Sequence, residues 1–446
     1  MKAGLCRLPH MRPEESTALV EICLTSALAY PPNEPYFLPK ISTKKRLPRD
    51  LENEVRITHY ALRKEHNMKN PFQYGNIVGE DSFCNRKKEI AELKRVIENS
   101  GRAFVYSERR FGKTSLVKLV LAALPQNRHI TVYVDLWPTD GEQSFVTVLA
   151  KAVTESTSKT MEKAIEAAKK LFSHLAPSMT VNDQGKPVVT FGIGKSSKLD
   201  AELSEVLQAA DKISESGKKK VVIVFDEFQQ ILEYQSDLVE RELRSIIQGQ
   251  KNVSYIFLGS RKHVVQKMFL DKSRPLYRAA THFPLGPIKE EDWSPFIRER
   301  FTIARKSISD EQIRKVCRST EGHPFYTQHL CHALWELCEP NRAVNDELIT
   351  QAINTLLARE NHAYTILWES LTKNQQRFLK GLASESSAAK PFSSEFISKY
   401  QLGTPSSTQR AVQTLLERDI IDHENGSFVV LDRFFRLWIQ SVQIGS

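Results

Sequence analysis

The sequence predicts an α/β protein with a parallel sheet, followed by a helical unit and a small C-terminal unit. Three observations support this prediction. Short apolar runs alternate with helical patterns from Phe83 onward, which is typical of βαβ units. A glycine-lysine-threonine step at residues 112–114 follows one apolar run, and Asp226 and Glu227 end another. Beyond Pro287 the pattern is helical until a hairpin signal near the C-terminus.

Length and composition indicate a globular chain. Its 446 residues are enough for two or three domains, and 41% are hydrophobic and 26% charged, which is ordinary for soluble proteins. No window approaches 18 uninterrupted apolar residues, so we expect no transmembrane helix and no membrane partner. The formal net charge of +10 is compatible with nucleic-acid binding and also with a lysine-rich solvated surface.

The cysteines are scattered and none forms a C-x-x-C pair. They are Cys6, Cys23, Cys84, Cys317, Cys331 and Cys338. This distribution predicts reduced thiols and a cytoplasmic location rather than a disulfide framework. The N-terminus carries Glu14 and Glu15 and has no long apolar core, which argues against a signal peptide.

Residues 1–67 differ from the rest of the chain. They contain seven of the 20 prolines, several of them within "AYPPNEPYFLPK". Proline fixes its own φ and lacks the backbone donor, so this stretch cannot form a helix or a central strand. We predict a disordered extension or a mis-assigned start, with Met68 as the true first residue.

The second predicted unit spans residues 68–288. A helical pattern at residues 85–99 precedes the five apolar runs "AFVYS", "HITVYVDL", "KKVVIVFDEF", "VSYIFLGS" and "THFPLGPI". Buried runs separated by helices predict a parallel sheet. Polar–apolar alternation at residues 177–198, around a glycine at position 185, predicts an inserted β-hairpin.

Two further units complete the chain. Residues 289–360 are predicted to be a helical domain. In residues 361–446, three short helical patterns precede two apolar runs joined at "ENG". The third helix is expected to begin at a serine cap after Pro405. Three helices and a β-hairpin predict a winged helix-turn-helix.

A phosphate-binding loop is predicted between the first strand and the next helix. In the pattern G-x-x-x-x-G-K-[ST], the first glycine is replaced here by a serine, which is small enough for the turn if its φ is negative. Backbone N–H groups of such a loop surround phosphates, the lysine reaches the β- and γ-phosphates of ATP, and the threonine binds Mg²⁺. The predicted nucleotide-binding residues here are Ser107, Glu108, Arg109, Arg110, Phe111, Gly112, Lys113, Thr114 and Ser115.

Polar residues also follow two other predicted strands. Asp226 would hold Mg²⁺, directly or through water, and Glu227 would act as the general base. A simpler interpretation is that two acids open a helix, which suits the helix dipole. Ser260 follows the next strand and would hold the attacking water or the γ-phosphate; Arg261 fits the same role, and an ordinary strand-to-loop turn is the simpler alternative.

Six segments together resemble one known family. In order, they are "SERRFGKTSLVKL", "VIVFDEFQ", "YIFLGS", "RPLYRAATHFPLGPI", "GHPFYTQHLCHALWE" and "LDRFFRLWI". From residue 68 to about residue 439, the chain resembles prokaryotic (archaeal and bacterial) P-loop ATPases of the AAA+/STAND type. The resemblance implies a P-loop NTPase with an AAA+-like parallel sheet of order 5-1-4-3-2, a helical lid at residues 289–360 and a C-terminal winged helix.

The resemblance also implies roles for individual residues. Lys113 and Thr114 resemble the Walker A pair, the acids after "VIVF" resemble Walker B, and Ser260 resembles sensor 1. Arg278 resembles an arginine that senses the γ-phosphate, sometimes across a subunit interface, although this chain lacks the preceding glycine. Pro324 resembles the proline of a lid motif near the nucleotide, and it also suits the first position of a helix.

The partners are left open by the sequence. A metal site in "HLCH" is not expected, because adjacent Cys331 and His332 lie on different sides of a helix. The winged helix could bind DNA, or it could make intramolecular or protein contacts. The residues on its third helix that could read DNA are Ser406, Ser407, Gln409, Arg410 and Gln413.

The predicted function combines these points. We expect Mg²⁺-dependent ATP hydrolysis, slow and dependent on a client protein, coupled to a conformational change of the lid and winged helix. Candidate partners besides ATP are a protein client, DNA and further copies of the chain. The alternative is a switch that binds ATP without hydrolysing it, or a DNA-binding module.

Overall fold

The computed structural model divides between Asn70 and Pro71 into two units. It describes residues 69–444 except 78, 80–81, 158–159, 182–184, 186, 194–198, 261–267, 386–390 and 425–426. The extension predicted at residues 1–67 and the start predicted at Met68 lie outside the described residues. The fold and the site below belong to the second unit.

A five-stranded parallel sheet is the centre of this unit. The strands are β1 (Arg102–Tyr106), β2 (His129–Asp135), β5 (Lys220–Asp226), β6 (Val253–Gly259) and β7 (Thr281–Pro284). They lie in the order β2-β5-β6-β1-β7, with every neighbouring pair parallel. Counted among themselves from the β7 edge, the order is 5-1-4-3-2. The α/β class with a parallel sheet is therefore confirmed.

Helices cover both faces of the sheet, as the strand sequences require. Alternate residues of β5 point to opposite faces, so Val222 and Val224 join one hydrophobic core while Ile223 and Phe225 join the other. The first core also contains residues of α1 and α2, and the second contains residues of α3, α5 and α6. These helices are α1 (Lys87–Glu98), α2 (Lys113–Ala122), α3 (Glu142–Thr157), α5 (Leu199–Gly217) and α6 (Leu238–Ile247).

An antiparallel hairpin lies in the crossover between α3 and α5, where the sequence predicts one. It follows α4 (Met161–Leu171) and consists of β3 (Leu175–Val181) and β4 (Pro187–Ile193). Val189 and Phe191 of this hairpin are buried in the second core. The hairpin therefore extends the α/β core instead of forming a separate unit.

The remaining helices share a third hydrophobic core. They are α7 (Glu290–Ile303), α8 (Asp310–Thr320), α9 (Pro324–Leu337), α10 (Asp346–Glu369), α11 (Lys373–Ser384), α12 (Ser394–Lys399), α13 (Pro405–Glu417) and α14 (Arg433–Ile444). Strands β8 (Ile421–Glu424) and β9 (Ser427–Val430) form the wing before α14. The expected boundary at residues 360/361 falls inside α10, and the domain boundaries stay a prediction.

Capping side chains determine where several of these helices begin. The Thr372 hydroxyl and the Gln375 side chain form a capping box at the start of α11. Helix α13 begins at Pro405, with Thr404 as its N-cap. The expectation of a serine cap after Pro405 was wrong, because proline suits the first helical position and threonine supplies the acceptor one residue earlier. In the described part of the chain, no helix is long and apolar enough to cross a membrane.

Candidate nucleotide site

The loop between β1 and α2 has the backbone of a phosphate cradle. Arg110 and Gly112 adopt φ angles of 61° and 84°, and left-handed residues of this kind curl a chain so that successive N–H groups converge. Gly112 is the N-cap of α2, so the loop lies at the positive end of the helix dipole. Ser107 has a negative φ, which satisfies the condition under which a serine can replace glycine at the loop entry.

Lys113 is buried inside this loop. Its Nζ donates to the backbone oxygen of Glu108 at 3.0 Å and to the Ser107 hydroxyl at 3.3 Å. Burial lowers the pKa of the ammonium group to about 8, against the opposing effect of the carboxylates of Glu227 and Asp226. The lysine therefore lies between the loop and the acids that end β5.

Thr114 and Asp226 form a pair of oxygen ligands suited to Mg²⁺. The Thr114 hydroxyl donates to Asp226 Oδ2 at 2.8 Å, close to the separation of about 2.9 Å expected for neighbouring ligands of an octahedral ion. The other oxygen, Oδ1, accepts from the backbone N–H of Glu227 at 2.9 Å. Hydroxyl and carboxylate oxygens are the ligands that this ion prefers, so the donor set fits Mg²⁺.

Tyr133 also contacts Asp226, and the sequence did not indicate this contact. Its hydroxyl donates to Asp226 Oδ2, and burial together with the charge of Asp226 raises its pKa. Strand β2 carries Tyr133 beside β5, with Asp135 aligned with Asp226. Only this register, which depends on the tertiary fold, reveals that Tyr133 orients the carboxylate.

Glu227 is held in an unusual backbone conformation. Its φ is 51°, a left-handed value that costs a non-glycine residue of order 1–3 kcal/mol. The Ser260 hydroxyl donates to Glu227 Oε2 at 2.7 Å, and Gln229 donates to the same oxygen. The predicted base is thus oriented by the predicted sensor serine and by a glutamine that sequence reasoning missed.

The four side chains between Ser107 and Gly112 do not point into the loop. Each of them contacts the C-terminal helices or the loops that join them. Two of the contacts are ionic, one stacks a guanidinium on an aromatic ring and one joins two rings. They are Glu108 to Arg433 at 2.7 Å, Arg109 to Asp419 at 3.7 Å, Arg110 to the Phe325 ring at 4.4 Å and Phe111 to the His323 ring at 4.3 Å.

The start of α9 packs closely against Ile288 through a glycine, and it contacts the phosphate loop through His323. Gly322 has a φ of 66°, and a Cβ there would lie 2.4 Å from the backbone oxygen of Ile288. The following His323 is buried, caps α9 by accepting from the N–H of Phe325, and has a pKa well below its ordinary value because of burial. Pro324 occupies the first turn of α9, one residue from the ring that contacts the loop.

The other predicted residues lie in different surroundings. Ser115 is buried in the first turn of α2. Arg278 is exposed, has a φ of 53°, and its guanidinium lies 5.2 Å from the centre of the Tyr277 ring. Its catalytic role stays a prediction. Arg261 lies outside the described residues.

The sheet, the loop and the acids at the end of β5 define a P-loop ATPase. Residues 83–330, more than half of the chain, match the family described as an ATPase domain predominantly from Archaea, and residues 362–441 match a probable winged helix domain. The chain belongs to this archaeal-type ATPase family and is an ATP-hydrolysing enzyme with a C-terminal winged helix. The predicted resemblance is confirmed to that extent; the STAND assignment stays a prediction.

One solved structure supports this fold. The Walker-type ATPase of Pyrococcus abyssi is similar, with a TM-score of 0.55 and 14% identity, over 83% of this chain and 99% of that one. The ORC2 protein of Aeropyrum pernix, solved with ADPNP and ADP, has a TM-score of 0.47 and 13% identity over 85% and 99% of the two chains. No curated protein matches the chain.

Proposed function

We propose that the chain is a Mg²⁺-dependent ATPase whose nucleotide state moves the lid and the winged helix. The observation that supports this proposal is that residues of the phosphate loop interact both with the acids of the site and with the C-terminal helices. Its lysine interacts electrostatically with Glu227 and Asp226 at the end of β5, whereas the side chains of residues 108–111 contact α14, the segment after α13 and the first turn of α9 with its N-cap. A change in the loop on nucleotide binding is therefore transmitted to the C-terminal helices.

Each residue of the site has a distinct proposed role. Lys113 binds the β- and γ-phosphates, exchanging its two loop acceptors for phosphate oxygens. Thr114 and Asp226 hold Mg²⁺, which when bound neutralises charge on the phosphates. Glu227 accepts a proton from the attacking water, and Ser260 keeps its carboxylate oriented.

Two substitutions test these roles in the full chain. Lys113→Ala should abolish ATP binding, because no other ammonium lies inside the described loop. Glu227→Gln should preserve ATP binding and stop phosphate release, since an amide cannot accept the proton. Lys88→Ala, on an exposed position of α1, is the matched control and should change neither quantity. ATP binding by Lys113→Ala at the parent affinity would contradict the site assignment.

The phosphate-release assay also distinguishes an ATPase from the alternative, a switch that binds ATP without turnover. Steady-state phosphate release by the parent protein, abolished in Glu227→Gln, supports an ATPase cycle. Tight ATP binding without release would favour the switch. A pull-down with Glu227→Gln, which should accumulate the ATP-bound state, would identify a protein client; the client, the oligomeric state and the cytoplasmic location stay predictions.

DNA binding through the winged helix is a second candidate. Helix α13 exposes a row of polar side chains that reaches its N-terminal turn, a position from which such helices enter the major groove. The exposed residues are Ser406, Ser407, Gln409, Arg410 and Gln413. A gel shift with duplex DNA, measured at several salt concentrations with and without ATP, tests this role. Absence of any gel shift at low salt would rule out DNA binding by the winged helix.

A further inference from the structure

A buried ion pair joins the phosphate loop to the last helix of the chain. Arg433 Nη1 donates to Glu108 Oε2 at 2.7 Å, and Nη2 donates to Oε1 at 3.2 Å. The two side chains are 3% and 6% exposed. The two residues are 325 positions apart in the sequence, and the paired geometry is the fork-to-carboxylate arrangement typical of strong arginine contacts.

Arg433 lies at a helix position that is unfavourable for a cation, and its carboxylate partners offset this unfavourable interaction. It is the first residue of α14, where the helix dipole disfavours a cation. Its Nη1 also donates to the backbone oxygens of Val430 and Leu431, and its Nε lies 2.9 Å from Glu321 Oε2. Although burial lowers the pKa of Arg433, the charges of Glu108 and Glu321 raise it, so the guanidinium stays charged.

The Glu108 carboxylate acts on the nucleotide site through its charge. The backbone oxygen of the same residue accepts from Lys113 Nζ at 3.0 Å, so the residue that contacts the phosphate-binding lysine also carries the carboxylate paired with Arg433. A negative charge on this residue of the loop favours the lysine ammonium and, by the same interaction, disfavours phosphates in the loop. Phosphate binding therefore benefits from a cation that compensates Glu108.

Building on the function proposed above, we propose that Arg433 is a positioning residue of the ATPase site. By neutralising and orienting Glu108, it makes nucleotide affinity depend on the docking of α14 and hence of the winged helix. When α14 undocks, the Glu108 carboxylate loses the charge of Arg433 and weakens phosphate binding. Because coupling between two equilibria is reciprocal, bound nucleotide in turn stabilises the docked winged helix.

Rescue experiments in the full chain test this proposal. Arg433→Met keeps an unbranched apolar stem and removes the guanidinium charge, and it should raise the Kd for ATP at least tenfold. The double variant Arg433→Met/Glu108→Gln should return to within about threefold of the parent, because neither charge remains. Arg433→Met/Glu321→Gln is the matched control: it removes the other carboxylate partner and should not restore affinity.

Each outcome decides the proposal. Parent affinity in Arg433→Met, or rescue by Glu321→Gln as efficient as by Glu108→Gln, overturns it, because Arg433 would then act only through packing. If Arg433→Met does not fold by circular dichroism, a Kd for Arg433→Met/Glu108→Gln within threefold of the parent supports the proposal, and a tenfold loss overturns it. Failure of the parent protein to bind ATP would instead refute the proposed function itself.

Discussion

The buried position of Lys113 predicts an unusual pH dependence of nucleotide binding. The pKa of its ammonium group is about 8, because burial disfavours the charged form. Phosphates bind the charged form, so above this pH the site must take up a proton before it binds nucleotide. An unperturbed lysine, with a pKa near 10.4, would show no such dependence below pH 9.5.

The size of the effect follows from proton linkage. If the bound lysine is always charged, raising the pH from about 7.5 to about 9.5 should raise the Kd for ADP about 25-fold, roughly 1.9 kcal/mol. With an unperturbed pKa, the change over the same range would be about 1.1-fold. Nucleotide affinity is greatest below pH 8 and is lost as the pH rises, because only the protonated lysine binds phosphate.

Calorimetry with ADP, which binds without turnover, measures both the Kd and the proton uptake. In buffers of different ionisation enthalpy, binding at pH 9 should take up about 0.9 proton, and binding at pH 7 about 0.1. In Glu227→Gln the midpoint should move to lower pH, because the carboxylate that most strongly raises the pKa of Lys113 is lost. A constant Kd up to pH 9.5 with no proton uptake would refute the reasoning.

Three further substitutions have expected outcomes. Gly322→Ala should lower the free energy of unfolding by about 1–3 kcal/mol in denaturant titrations, whereas Gly286→Ala, where a Cβ meets nothing within 4 Å, should change it by less than about 0.5 kcal/mol. Tyr133→Phe should raise the Mg²⁺ concentration for half-maximal phosphate release about three- to tenfold, roughly one hydrogen bond; an unchanged midpoint would show that Tyr133 does not orient the metal ligand. Ser107→Gly should leave ATP affinity within about tenfold, or 1.4 kcal/mol, and a larger gain would show that the serine impairs the loop.

Much of the fold was predictable because its signals are local. Strand β5 is a continuous apolar run, buried on both faces between two cores, and its sequence alone identifies it as a central strand. The phosphate loop is likewise a local strand–turn–helix pattern, from Ser107 to the first turn of α2. Lys113, Thr114 and Asp226 meet in the structure because parallel strands end at the same edge of the sheet.

The supporting residues of the site were not predictable from such local signals. Tyr133 reaches Asp226 across 93 positions in the sequence, and only the register of β2 on β5 brings them together. In the sequence, Arg433 stood out only as part of the segment "LDRFFRLWI". No local sequence pattern indicates that it contacts Glu108. Gln229 lies two residues after Glu227, yet its role depends on the left-handed turn at Glu227, which the sequence does not show.

The backbone and the side chains of the phosphate loop have different roles. A loop that binds phosphate through N–H groups does not need its side chains for that purpose, and those of Glu108 to Phe111 point instead toward α9, α14 and the segment after α13. Large and charged residues can therefore occupy a loop that must approach phosphates closely. Ser107 is the exception, because its hydroxyl faces Lys113. Substitutions at residues 108–111 should accordingly alter the coupling to the C-terminal helices more than they alter phosphate contacts.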